Sequence, residues 1–192
     1  MEYRFGTCGS LDKSAQVGSV MITDSACLIS RNVEAFIAKR TSLDHIDRES
    51  WKRYYDVSSP EYPSSELKNS LKAVLEGHGQ AYSEAKNATS DSFYSSQGRL
   101  SANFMDVNQD LLPHLATEPY NIRTMDMETF YLFHLSNIAH DHDSGMIHTA
   151  DIKFVVANRM TDEFLVDSQK IETLESTIGE YCLETLSKFS LA

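Results

Sequence analysis

Positive charge is scarce in this sequence. Its 192 residues carry 17 Lys and Arg against 28 Asp and Glu, a formal net charge of −11. That balance argues against a general binder of nucleic acid or of acidic membranes, because such surfaces must offset phosphate charge. It leaves room for a small anion held by a few local cations. Cysteine is sparse too: Cys8, Cys27 and Cys182 are odd in number and far apart. They read as free thiols in a reducing cytosol, not as a disulfide frame. Long apolar runs are missing, so no stretch reads as a transmembrane helix. The first ten residues, MEYRFGTCGS, lack the apolar run of a signal peptide. A cytoplasmic protein with no membrane or nucleic-acid partner is the expectation. There is no internal repeat and no low-complexity segment. What remains is ordinary for a soluble domain, with 41% hydrophobic and 23% charged residues. The length suits a single domain, 1–192, with a real core.

Residues 3–8 predict a short buried strand ending at Gly6 and Gly9. Residues 17–30, VGSVMITDSACLIS, gather Val, Ile and Thr around Gly18 and predict another. Residues 31–62 are polar and mixed around the single Trp51, an excursion and not a separate domain. Pro63 and Ser64 open a helix. Leu67, Leu71, Val74 and Leu75 give it an apolar face at helical spacing, and Gly77 and Gly79 end it. Residues 80–90 are expected to run extended. Residues 120–126 predict a strand leading into METFYLFHLSNIA, which is apolar nearly all round, as a buried helix is. Residues 152–159, IKFVVANR, predict a buried strand, with 152–157 interior to the sheet. From Val166 a long surface helix is expected, with Ile171, Leu174, Ile178, Cys182, Leu186 and Phe189 as its core stripe. Strands alternating with helices indicate the α/β class.

Four short stretches carry candidate chemistry. In SDSFYSSQGR, residues 90–99, two aromatics precede Gln97 and Arg99. An amide and a planar guanidinium fork in one turn suit a flat hydrogen-bonding ligand. RFGTCG, residues 4–9, places an Arg, a hydroxyl and close-approach backbone at a strand end. That is either a tight turn or a cradle for phosphate oxygens. MDMET, residues 125–129, sets Glu128 at the start of an apolar helix. The acid either answers the helix dipole or binds a pair of sugar hydroxyls. HDHD, residues 140–143, does not match common zinc spacings and reads as an exposed loop. Cys8 has no nearby base and reads as a structural thiol, not a nucleophile.

Taken in order, RFGTCGSL, SDSFYSSQGR, MDMET and VVANR resemble the nucleoside phosphorylases of the uridine phosphorylase type, over nearly the whole chain. The resemblance implies a three-layer α/β/α sandwich with a central mixed sheet. It implies phosphorolysis of uridine to uracil and ribose 1-phosphate, a pentosyl transfer in pyrimidine salvage. Phe93, Gln97 and Arg99 would form the uracil pocket. Glu128 would hold the ribose 2′ and 3′ hydroxyls, with Met127 under the sugar. Arg4 and Thr7 would hold phosphate, Thr7 also close to the ribose. Catalysis would rest on Arg4, Thr7, Gln97 and Arg99. The resemblance further implies phosphate as co-substrate, no cofactor, no metal, no covalent intermediate and a homo-oligomer. Pyrimidine is favoured over purine: purine-specific relatives lack the Gln-x-Arg turn and carry a Ser-Asp pair where this chain has Asn158 and Arg159.

Two departures accompany the resemblance. The family usually has Glu where this chain has Asp126, a shorter acid expected to weaken sugar contacts. MEYRFGTCG also corresponds to an internal strand of the family. The domain is therefore expected to lack N-terminal strands and the first phosphate loop, leaving sheet edges and apolar helix faces exposed. The alternative to an active phosphorylase is a silent homologue that keeps a base-binding pocket or an oligomer surface.

Overall fold

The computed structural model describes residues 2–39, 50–141 and 147–189. In chain order they form β1 (Glu2–Ser10), β2 (Val20–Arg31), α1 (Val33–Lys39), α2 (Trp51–Tyr54), β3 (Tyr55–Val57), α3 (Ser65–Gly77) and β4 (Ser83–Ser90). Then follow α4 (Leu111–Leu115), β5 (Thr124–Asp126), α5 (Thr129–Asp141), β6 (Thr149–Asn158), β7 (Glu163–Phe164) and α6 (Ser168–Lys188). This is an α/β fold on a mixed sheet, the class expected from the alternation of elements.

Across the sheet the strands run β3-β2-β4-β5-β1-β6-β7, and β2 also pairs with β6. In that last pairing Val20, Met21 and Ile22 lie antiparallel to Phe154, Lys153 and Ile152. It closes β2, β4, β5, β1 and β6 into a ring. Closure satisfies edges that an open sheet leaves unpaired. Among the described residues β1 meets β5 at Gly9 and Ser10 alone. Elsewhere β1 has β6 as its neighbouring strand.

Side chains alternate across a strand, so a ring sends one set inward and the other outward. On β6, Ile152 and Phe154 pack with Leu71 and Leu75 of α3 and with Ile178 and Cys182 of α6. The intervening Asp151 and Lys153 are also fully buried. They meet polar groups from the other ring strands. A second core joins Cys27 and Ile29 of β2 to Trp51, Tyr55, Leu111 and Met125. The described part of the 31–62 excursion thus joins this core through the buried Trp51, Tyr54 and Tyr55.

Several sequence expectations are corrected. β1 runs through Gly6 to Ser10 and is only partly buried, with Phe5 exposed. β2 starts at Val20 because Gly18 sits in a left-handed turn at φ 89. β5 is confined to Thr124–Asp126. Asn121 at φ 54 breaks the extended path before it. α5 is not buried all round. Phe130 and Phe133 pack on Ala26 of β2, while Tyr131, Leu135 and Ile138 are exposed. A helix lying on one side of a sheet buries one face only, whatever its composition. α6 begins at Ser168 because the Asp167 side chain accepts the backbone N–H groups of Gln169 and Lys170. In its stripe Ile178 and Cys182 are buried, with Ile171 and Leu174 packed beside them. Of the HDHD stretch, His140 and Asp141 end α5 and are not loop, while residues 142–143 and all four side chains lie outside the described residues.

The two faces of α5 make a quantitative test. Phe133→Ala should cost about 3–5 kcal/mol of unfolding free energy. Leu135→Ala should cost under about 0.5 kcal/mol. Urea denaturation of both variants measures the difference.

Candidate active site

A cleft of about 220 Å³ opens where β1, β5 and β6 approach the turn after β4. From β1 it is lined by Arg4, Thr7, Cys8 and Gly9. The β5–α5 junction contributes Asp126, Met127 and Glu128, and the turn after β4 contributes Phe93, Gln97 and Arg99. The end of β6 adds Val156, Ala157 and Arg159. All seven residues singled out from the sequence therefore face one space. Thr7, Met127 and Phe93 line it without a side-chain hydrogen bond of their own among those observed.

The turn wall is pinned from several sides. Gly98 adopts φ +63, and a Cβ there would lie 2.5 Å from the Leu112 side chain. Only glycine meets both constraints. Asn108 donates to the carbonyls of Ser95 (3.0 Å) and Arg99 (3.1 Å), tying the two sides of the turn. The Tyr55 hydroxyl lies 2.6 Å from Ser95 Oγ. Arg99 donates from Nε to the Phe93 carbonyl at 2.9 Å, and its guanidinium lies 4.0 Å from the Phe93 ring centroid. The aromatic face expected to meet a ligand is thus partly covered by Arg99.

Arg159 also lines the cleft, a candidate-site residue absent from those singled out in the sequence. In the sequence it stands only where an acid is expected in purine-specific relatives. Its guanidinium donates to Gln97 Oε1 at 3.3 Å and to the Gln97 carbonyl at 2.7 Å. Burial, then repulsion from Arg99, lowers it to about 10. Its path lies over Gly9, where a Cβ would come within 3.1 Å of Arg159 Cγ. Beside Gly9 the β1–β6 register shifts, Cys8 facing Val155 and Gly9 facing Ala157. That irregularity is of the kind that re-aims side chains next to a site. An Arg directly after a buried strand, opposite a Gly-containing strand end, is the available signal.

The opposite wall is ionic. Arg4 donates to Asp151 Oδ1 at 2.9 Å and to Glu128 Oε2 at 2.5 Å, and its Nη1 lies 3.4 Å from Asp126 Oδ2. The guanidinium expected to be free for phosphate is already engaged by carboxylates. Burial opposes its charge, but Asp151 and Asp126 raise its pKa above the usual range.

The acid buried at this junction is Asp126, not Glu128. Glu128 lies just before α5 with its side chain 61% exposed. Asp126 is 1% exposed and turned inward. It accepts from Asn87 (3.0 Å), Thr89 (2.7 Å) and Thr129, and from Lys153 Nζ at 2.7 Å. The backbone N–H groups of Glu128 and Thr129 approach its Oδ1 at 3.3 Å, so it also caps α5. Its shortness suits this inward role. Burial would raise it, yet Lys153 and Arg4 hold it well below the usual carboxylate range. Lys153 was missed entirely, although a single Lys in an apolar strand already demanded buried acids. Cys8 is an inert wall group, its thiol pushed up to about 12 by burial.

Residues 3–167 match the family model described as the phosphorylase superfamily, and the chain belongs to that superfamily. No curated protein matches it. Among solved structures it is similar to a uridine phosphorylase of the oomycete Phytophthora capsici, with 31% identity and a TM-score of 0.81. The match covers 98% of this chain and 66% of that one. A Trypanosoma brucei nucleoside phosphorylase with uridine phosphorylase activity matches at 17% identity and TM-score 0.73, covering 97% of this chain and 63% of that one. A purine nucleoside phosphorylase of Toxoplasma gondii matches at 16% and 0.62, covering 95% and 61%. These last two share the fold. The chain spans about two thirds of the length of these relatives.

Two tests follow from the geometry. Gly98→Ala should destabilise the chain by about 1–3 kcal/mol through strain and overpacking, and should loosen the turn. Denaturant unfolding measures the first effect. The second is pH dependence. An unfolded Asp titrates near 3.9. Because folded Asp126 titrates lower, its stabilisation is present above about pH 4 and is lost as pH falls toward the folded value. The denaturation midpoint should fall on acidification below about pH 4, less steeply in Asp126→Asn.

Proposed function

We propose that this chain is a uridine-cleaving nucleoside phosphorylase, exchanging uracil for phosphate at C1′ of ribose. The observation carrying this reading is the convergence of Gln97, Arg99 and Arg159 on one wall of the cleft that Arg4, Thr7 and Glu128 line opposite. Uracil presents N3–H between two carbonyls. Gln97 Oε1 accepts N3–H while its amide donates to a neighbouring carbonyl. Arg99 and Arg159 add cationic donors for the other carbonyl.

Phosphorolysis passes through an oxocarbenium-like sugar, as glycoside cleavage does. The departing uracil gains negative charge. Two guanidinium groups beside Gln97 bind that charge more tightly in the transition state than in the ground state, which is what accelerates the reaction. Glu128 is exposed enough to leave Arg4 and accept the ribose hydroxyls, with Met127 beneath the sugar. Arg4, relieved of Glu128, and Thr7 then face the phosphate. Pyrimidine is favoured because the side chain after Asn158 is a cation, where protonating a purine ring calls for an acid. The reaction needs phosphate as co-substrate and no cofactor or metal. The protein is further proposed to be cytoplasmic and to self-associate.

A second reading has one observation in its favour. Arg4 is already compensated by Asp151 and Glu128, so a chain that binds base but turns nothing over is the alternative. Uracil release from uridine plus phosphate tests both. Turnover of uridine over purine nucleosides supports the phosphorylase; uracil binding without turnover supports the alternative. Purine cleavage with no uridine cleavage defeats the uridine assignment. In either reading Arg99→Ala should weaken uracil binding by about 1.5–3 kcal/mol, a charge-assisted hydrogen bond, with little change in stability. Calorimetric titration with uracil checks it.

A further inference from the structure

We propose that Lys153, which does not reach the cleft, is a positioning residue for the anion subsite: it neutralises the buried aspartates beneath Arg4 and thereby leaves Arg4 available to phosphate. This rests on the phosphate role given to Arg4 above. Lys153 is fully buried and is not among the residues lining the cleft. Its Nζ lies 2.7 Å from Asp126 Oδ2 and 2.8 Å from Asp151 Oδ2. Arg4 Nη1 faces the same two carboxylates, at 3.4 Å and 2.9 Å. The two cations share one pair of acids. Arg4 Nη2 turns the other way in its bonding, to the exposed Glu128.

Charge counting gives the consequence. Arg4 and Lys153 stand against Asp126, Asp151 and Glu128, two positive charges against three negative. Glu128 is the exposed member and can be displaced by an incoming anion, which leaves two against two. Without Lys153 the same displacement leaves Arg4 alone against two buried aspartates. Its guanidinium is then held by charges that cannot leave, and a phosphate approaching it meets net negative charge. The other wall is unaffected, since Gln97, Arg99 and Arg159 make no observed bond to this cluster. The signature of the device is therefore selective: phosphate affinity depends on Lys153 and uracil affinity does not.

The full chain is titrated calorimetrically with inorganic phosphate and, separately, with uracil. Lys153→Met should weaken phosphate binding about tenfold, the ratio that about 1.4 kcal/mol represents, with uracil binding unchanged. Adding Asp151→Asn restores the charge count and should recover most of the loss. Equal phosphate affinity in wild type and folded Lys153→Met overturns the proposal, as does a parallel loss of phosphate and uracil affinity, which marks a merely structural lysine. If Lys153→Met does not fold, Asp151→Asn is compared with the double variant. A roughly tenfold loss of phosphate affinity between them sustains the proposal, and no loss defeats it. Wild type that binds uracil but not phosphate overturns this inference alone; wild type that binds neither overturns the proposed function as well.

Discussion

Lys153 held between Asp126 and Asp151 is the contact on which the rest of the structure depends. Each of these charges costs several kcal/mol to remove from water, and a buried ion is tolerated only when paired and hydrogen-bonded. Here the pairing is complete. Lys153 meets two carboxylates and the Asn87 and Thr129 side-chain oxygens. Thr23 donates to Asp151, and Asn87 and Thr89 donate to Asp126. With Arg4 added, every strand of the closed ring supplies a member: β1 Arg4, β2 Thr23, β4 Asn87 and Thr89, β5 Asp126, β6 Asp151 and Lys153. Such a network tolerates one strand register, because a one-residue slip would turn these groups into the apolar layers outside. Burial lowers and the two aspartates raise the pKa of the lysine, with the aspartates prevailing, so the Lys153 ammonium keeps its charge.

The same network sets one wall of the cleft. Asp126 caps α5, which fixes where Met127 and Glu128 leave the sheet. Asp151 orients Arg4. The ionic wall is thus an outcrop of the ring interior, and its charge balance is decided below the surface. The other wall has a different origin. Gly98, Asn108 and Tyr55 shape the turn by backbone conformation and neutral hydrogen bonds, and Arg159 reaches across from β6 to complete it. The cations of the two walls are thereby built on separate supports, Arg4 on the ring interior and Arg99 and Arg159 on the turn.

What the sequence by itself determined was local. Spacing of Leu67, Leu71, Val74 and Leu75 is enough to define α3, and the β-branched run in IKFVVANR is enough to define β6, because each pattern has a single period. Gln97 and Arg99 two apart around a glycine already specify a turn bearing an amide and a cation. The motifs RFGTCG, SDSFYSSQGR and MDMET named the residues that meet in the cleft, and the family with them. Only the tertiary structure decided which of two neighbouring acids is inside. Asp126 and Glu128 differ in reach, and the shorter one fits the ring because Lys153, on a strand distant in sequence, waits there. Only the tertiary structure brought Arg159 onto Gln97, closed β2 onto β6, and left one face of an apolar α5 in water. Each of these depends on contacts between residues far apart in the chain, and no local period or motif encodes the partner that a buried charge will find.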